Sequence, residues 1–358
     1  MDNQKNLLLA VVLSLIILIG YDFIFAPDEP VRQNAEEQIT EPEVLKDDIP
    51  SISSTETIES SKSKQKENRI KFKSGRLEGS LNLYGSTFDD LILSDYFETI
   101  NREKKIHLLK KENTTSPYFL RMGWASTNKS LTLPDKDSSW TSNKNIFENE
   151  DILLEWNNNQ GIKIKRKISF DENFMITVED EVFNETSEII ELTNFSYLRR
   201  KNYRPENKFF ILHEGPLGVF NDTLKEFSYE DIEETGEIIE STKDGWIGYT
   251  DHYWQVAIFP STEEPFKARF KLLKNQKNSI QIDFIADNLK SIEPSQSLKV
   301  KSYIFAGAKE VPLIDNYIKK LNVNKLDLSV DFGWFYFLTK PLFYALNFLS
   351  TLFQNFGV

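Results

Sequence analysis

The chain of 358 residues, 40% hydrophobic and 13% aromatic, has room for one large domain or two of ordinary size and can bury a substantial core. Its net charge of −12 argues against a nucleic-acid binder, which needs a basic face to engage phosphates, and discourages adhesion to anionic lipid by charge alone. With no cysteine in the sequence, disulfides, thiolate metal sites and cysteine nucleophiles are excluded together.

Residues 1–6 form a short leading segment expected on the cytoplasmic side. Leu7 to Phe25 follow as nineteen residues in which only Ser14, Gly20, Tyr21 and Asp22 interrupt the apolar run. As a helix rising ~1.5 Å per residue the segment reaches ~29 Å, which matches a hydrocarbon core of roughly 30 Å and predicts a transmembrane anchor. A cleaved signal peptide is the alternative. Against it stand the length of the run and the bulky Phe23-Ile24-Phe25 where a small-x-small cleavage site belongs. From Asp28 to Asp48 eight acidic residues face only Arg32 and Lys46, and that scarcity of cations favours the outer side of the membrane. Asp22 reads as an interfacial carboxylate reaching water, with a functional intramembrane charge as the alternative.

Residues 26–68 are poor in apolar side chains and rich in Glu, Ser, Pro and Lys. Such a stretch cannot bury enough surface to offset its ordering entropy, so it is expected to be a flexible tether. Five Asn-x-Ser/Thr sequons, at Asn113, Asn128, Asn184, Asn194 and Asn221, suit chance in an Asn-rich chain better than glycosylation, because large secreted eukaryotic domains usually carry disulfides. A bacterial periplasm fits.

Residues 69–308 have the texture of β-structure. Ile162, Ile164, Ile168 and Phe170 alternate with polar residues, and after Asp171-Glu172-Asn173 the alternation resumes at Phe174, Ile176, Val178 and Val182, which predicts a hairpin. Similar runs occur at Phe266-Ala268-Phe270-Leu272, Ile280-Ile282-Phe284 and Leu298-Val300-Ser302-Ile304. Many short strands without intervening helices imply antiparallel sheets packed as a sandwich.

Residues 309–330 open with Val311 to Leu321, an amphipathic helix by the spacing of Val311, Ile314, Ile318 and Leu321, followed by a connector. The last segment, 331–358, has no charge after Lys340. Tyr344, Asn347, Thr351 and Gln354 form a polar stripe opposite Leu342, Leu346, Leu349, Phe353 and Phe356, and Pro341 suits the first turn of a helix. Such a helix fits a membrane interface, with Trp334, Tyr336 and Tyr344 as headgroup-level anchors and Phe343 on its surface, or else packs on the domain itself.

No phosphate loop, zinc-protease pair, nucleophile elbow or dinucleotide fingerprint is present. His213-Glu214 and Asp251-His252 are acid–histidine neighbours whose adjacent positions on a strand would point to opposite faces. Trp246, Tyr249, Tyr253 and Trp254 fit either a binding platform or, more commonly, a sandwich core. Arg199, Arg200, Lys201 and Arg204, beside Tyr197 and Tyr203, fit a solvated loop or, less commonly, a contact for an acidic partner.

Three features taken together resemble the YidC-type membrane protein insertases of Gram-negative bacteria, across essentially the whole chain. They are the N-terminal anchor, the block from Gly245 to Trp254 that includes Trp246, Gly248, Asp251 and Tyr253 and is followed by Ala257 and Pro260, and the stretch Leu328 to Phe343 with Asp331, Gly333, Trp334 and Pro341. The resemblance implies an inner-membrane protein with a periplasmic, mutarotase-like β-supersandwich and an interfacial helix near Phe335 to Phe356. It implies work by binding and chaperoning, with no cofactor or covalent chemistry. The partners it implies are membrane lipid, client membrane proteins, and the Sec translocon with SecD and SecF. In the family, further membrane helices enclose a groove bearing an arginine. This chain is expected to be a fragment ending before them, and so to lack insertion activity of its own. A membrane-tethered carbohydrate-binding module or sugar-active enzyme is the alternative.

Overall fold

Two consecutive strands show how the sequence builds the domain. In β9 (Ile162–Phe170) and β10 (Met175–Asn184) the isoleucines and valines turn inward while Lys163, Lys165, Lys167, Glu179 and Glu181 turn outward. The turn between them is fixed by Asp171, whose Oδ1 accepts the backbone N–H of Asn173 and of Met175, both at 2.9 Å. The computed structural model describes residues 67–202, 212–260, 264–273, 278–321, 323, 325–333 and 335–353, so the segment expected to be an anchor, 7–25, and most of the segment expected to be a tether, 26–68, lie outside the described residues.

The larger sheet runs, in spatial order, through β14 (Glu237–Thr242), β17 (Phe266–Leu272), β18 (Ser279–Ala286), β11 (Ile190–Lys201), β5 (Tyr118–Ala125), β3 (Thr87–Phe97), β2 (Leu77–Asn82), β1 (Arg69–Ser74) and β7 (Ile146–Glu148). β4 (Lys105–Leu109) is added to β3, and β19 (Lys290–Ile292) to β11. The second sheet runs through β13 (Thr223–Glu226), β12 (Gly215–Phe220), β15 (Gly245–Thr250), β16 (Trp254–Phe259), β20 (Ser297–Ala308), β10, β9, β8 (Ile152–Asn157) and β6 (Thr141–Ser142). Apart from the β1–β7 pair, the described ladders are antiparallel. The fold is therefore mainly β, with two sheets closed on one core of Ile, Leu, Val and aromatic side chains drawn from both.

The alternation of β9 and β10 is broken at two inward positions, Arg166 and Asp180, which lie opposite each other in register. Arg166 donates through Nε and Nη2 to the two oxygens of Asp180, each at 2.7 Å, and Trp124 of the facing sheet donates its indole N–H to Asp180 at 2.9 Å. The interruption is thus a bidentate ion pair tying the sheets together, with the Arg166 side chain fully buried. Of the sequons, Asn184 and Asn194 are buried, which closes those two to modification.

Among the described residues α-helix appears where strand periodicity gives way, once between β13 and β14 and twice after β20. The short α1 (Tyr229–Thr235) is capped by Ser228 in a reciprocal arrangement with Asp231. Helix α2 (Val311–Leu321) buries Val311, Ile314 and Tyr317 against the sandwich, and its Tyr317 hydroxyl donates to Asp171 at 2.6 Å. A 3-10 turn at Leu326–Ser329 leads to α3 (Tyr336–Phe353). Pro341 lies inside α3 rather than in its first turn, since the helix begins at Tyr336. Thr339 supports this early start, its hydroxyl donating to the Phe332 carbonyl at 2.6 Å and its backbone N–H to Phe335 at 2.9 Å. Among the described residues no helix is long and apolar enough to cross a membrane.

Candidate functional site

Helix α3 is oriented against the usual rule for a helix on a soluble domain. Phe343, Tyr344, Asn347 and Ser350, which include two members of the polar stripe, are half-buried, whereas Leu342, Leu346, Leu349 and Phe353 are exposed. Phe337, Leu338, Phe348 and Leu352 are also exposed, Phe337 and Phe348 to 67% each. Polar tethers hold the stripe inward. Tyr344 donates its hydroxyl to Asp315 of α2 at 2.6 Å, and Lys340 donates to Asp327 at 3.2 Å. Phe343 meets Phe332 edge-on with ring centroids 5.8 Å apart. Burial and the bond to Asp315 push the Tyr344 hydroxyl up to about 12.

The headgroup role expected for Tyr344 is corrected by this contact, because its hydroxyl is committed to a carboxylate of the domain. Trp334 and Phe356 lie outside the described residues, as does the side chain of Tyr336. The side chain of Asp331 accepts the backbone N–H of Gly333 at 2.6 Å, and Gly333 takes φ +75°, which bends the chain into α3.

The block from Gly245 to Trp254 divides between core and surface. Trp246 and Tyr249 are fully buried, Pro260 is buried, Trp254 is half-buried, and Tyr253 is 64% exposed on the turn between β15 and β16. Gly245 is required for backbone reasons. At φ +148°, a Cβ there would stand 1.8 Å from the carbonyl oxygen of Val219. A Cβ on Gly248 would stand 2.4 Å from the carbonyl of Val256.

Asp251 reaches across to the other sheet. Both its oxygens accept from Arg200 at the end of β11, at 2.8 and 3.0 Å, and the guanidinium carbon lies 4.6 Å from the centre of the Tyr118 ring. Burial by itself would lower the Arg200 pKa, but the Asp251 charge more than reverses that and holds it above its ordinary value. Burial raises the hydroxyls of Tyr118 and Tyr249 beside it. The solvated loop expected for Arg199, Arg200 and Lys201 is therefore a correction. These residues end a central strand, where Arg199 donates to Gln281 at 2.7 Å, while Tyr203 and Arg204 lie outside the described residues.

The sequence neighbours His213-Glu214 and Asp251-His252 do not act as pairs. Glu214 and His252 instead come within 3.8 Å of each other, too far for a hydrogen bond, while His213 shares one with the Pro216 carbonyl at 3.0 Å. Among the described residues no group of acidic, histidine or cysteine side chains is arranged to hold a metal. Sequence reasoning missed the pairing of Arg200 with Asp251, residues far apart in the chain whose juxtaposition is set by the closure of two sheets. It missed Arg166 with Asp180 as well, although opposite charges in the inward phase of neighbouring strands were a usable signal.

Residues 69–345 match the family described as the YidC periplasmic domain. The membrane protein insertase YidC of Rickettsia felis is 35% identical over 362 residues, covering 100% of this chain and 64% of its own length. Those of Rickettsia conorii and Rickettsia bellii are each 34% identical with the same coverage. The chain thus spans 64% of the length of these relatives. Among solved structures, a galactose mutarotase related enzyme from Lactobacillus acidophilus is similar at 9% identity and a TM-score of 0.46, over 67% of this chain and 97% of that one. A galactose mutarotase-like protein from Lactobacillus casei is similar at 8% identity and 0.47, over 67% and 100%. Likeness at that level says nothing of activity.

Proposed function

We propose, because this chain belongs to the YidC family of membrane protein insertases, that it is the portion of an inner-membrane insertase that stands in the periplasm and meets the bilayer through α3. The segment Leu7–Phe25 would anchor it, residues 26–68 would tether it, and the sandwich would handle emerging client segments and dock the Sec translocon with SecD and SecF. One observation carries the reading. A helix that turns Tyr344 and Asn347 of its polar stripe toward its own domain, and Leu342, Leu346, Leu349 and Phe353 outward, is built for an apolar solvent. Lying in the interface, it would bury each exposed leucine for about 2 kcal/mol, which offsets the scarcity of positive charge on a helix whose Lys340 is already paired with Asp327.

The decisive experiment replaces the matching region of the Rickettsia felis insertase with this chain and expresses the chimera in cells depleted of their own insertase. The reading predicts that client membrane proteins reach their inserted form. It also predicts that Leu342→Asp with Leu349→Asp impairs this while leaving the sandwich folded. A chimera that is present and membrane-bound but inserts nothing would contradict it.

A further inference from the structure

Two cavities of the sandwich differ in how their charges are balanced. The larger, about 530 Å³, lies over β8, β9, β10 and β20, and its surface charges neutralise one another in cross-strand pairs. Lys165 pairs with Glu155, Lys167 with Asp151, Lys299 with Glu181 and Lys301 with Glu179. The smaller, about 310 Å³, opens at the mouth between the sheets, where Ile106, Leu108, Tyr118 and Trp254 line it together with Arg200 and Asp251.

Both carboxylates at that mouth are already engaged. Glu98 is held by Lys104 at 2.8 Å, and Asp251 by Arg200. His107 is committed to Asp90 at 2.8 Å. Lys110 and Lys201, which also line the mouth, make no ion pair among the described residues. They are brought together by the sheet, since Lys110 bridges to Tyr118 and the backbone N–H of Lys201 donates to Pro117 at 3.0 Å. The outcome is a mouth with two uncompensated ammonium groups over an aromatic and aliphatic floor, in a chain whose net charge is −12.

We infer that this mouth binds an acidic polypeptide segment, its carboxylates meeting Lys110 and Lys201 while an apolar neighbour rests on Tyr118 and Trp254. A concave mouth admits an extended chain but not the plane of a bilayer. The source of the ligand rests on the insertase reading. Client segments that cross to the periplasm are those poor in Lys and Arg, so their remaining charges are acidic. A cationic mouth on that side would hold such a segment during its passage, and its weak, salt-sensitive contacts would release it.

The test uses the full chain purified in neutral detergent and a fluorescent extended peptide alternating Glu or Asp with Phe and Ser, read by anisotropy. Binding is expected to saturate, to weaken about fivefold for each of Lys110→Gln and Lys201→Gln, and to fade as salt is raised. The double variant Lys110→Glu/Lys201→Glu should lose the acidic peptide and gain one carrying Lys in place of Glu. Lys243→Glu, remote from the mouth, should change neither. The inference is overturned if the double reversal leaves acidic-peptide binding intact, or if inorganic phosphate displaces the peptide where sodium chloride of equal ionic strength does not. Dependence of phosphatidylglycerol-vesicle binding, but not of peptide binding, on the two lysines would also overturn it. Failure of the chimera to insert clients would leave this result standing, because the peptide assay does not read insertion.

Discussion

Arg166 lies among apolar side chains with none of its own side chain exposed, while Phe348, on the terminal helix, stands 67% in the open. The two regions depart from the ordinary partition of charge and oil in opposite directions, and each departure has its own compensation. In the sandwich the compensation is local. Asp180 meets the guanidinium with two 2.7 Å bonds, and Trp124 supplies a third group to the carboxylate. On α3 nothing among the described residues covers the outward leucines and phenylalanines, while Tyr344 and Lys340 hold the polar side down. An internal exception satisfied by its neighbours is structural, whereas the open one on α3 is where we propose the contact with the bilayer.

The strongest way to break this contrast is to remove one half of the internal pair. Asp180→Ala should cost about 3–5 kcal/mol in urea unfolding, because it strands a buried guanidinium. Arg166→Met combined with Asp180→Leu should recover most of that loss. If the single variant unfolds at the wild-type midpoint, the pair is not what ties the sheets. On the other side of the comparison, Leu342→Asp and Leu349→Asp should each weaken vesicle flotation by about 2 kcal/mol, roughly thirtyfold. Their effect on unfolding in solution should stay within about 0.5 kcal/mol, as for exposed positions.

Smaller effects sharpen how α3 is held. Tyr344→Phe removes the bond to Asp315 and should loosen α3 by about 1 kcal/mol, seen as faster amide exchange in the helix with the sandwich unchanged. A pH effect should be smaller still. Glu310, at the entrance to α2, would be raised by burial, but bonds from Arg76 and Tyr96, both at 2.6 Å, hold its carboxyl below its ordinary value. A depressed folded-state value contributes stability that is complete above the unfolded-state value and is lost as pH falls through the folded one. Acid titration should therefore destabilise the wild type more than Glu310→Gln below about pH 4.5, and equal acid sensitivity would exclude the contact as a contributor.

The strands were legible because each carries a period of two with one face apolar. The hairpin at Ile162–Val182 and the strands at Phe266, Ile280 and Leu298 stand where the alternation places them. The helix at Val311 was legible for the same reason at a period of 3.6. Sequence reading failed where meaning depends on what lies across the core. Arg199, Arg200 and Lys201 look like a solvated run, yet they end a strand whose partner carboxylate, Asp251, belongs to the other sheet. Pro341 looks like a helix start, yet Thr339 has already bonded back to Phe332 and Phe335. The stripe on α3 was visible, but which side faces the domain was not. That depended on Asp315 and Asp327, which lie upstream of the helix.

The most direct test of the central claim uses the absence of native cysteine to place single spin labels along α3. Labels at positions 338, 342, 346, 349 and 353 would be compared with labels at 343, 347 and 350 in the vesicle-bound chain. Their collision rates with oxygen and with a water-soluble nickel chelate would be measured. With α3 seated in the bilayer, the first set is accessible to oxygen and shielded from nickel, and the second set is restricted to both by contact with the domain. If the first set is as open to the nickel chelate in vesicles as in solution, α3 does not seat in the bilayer and the central claim is wrong.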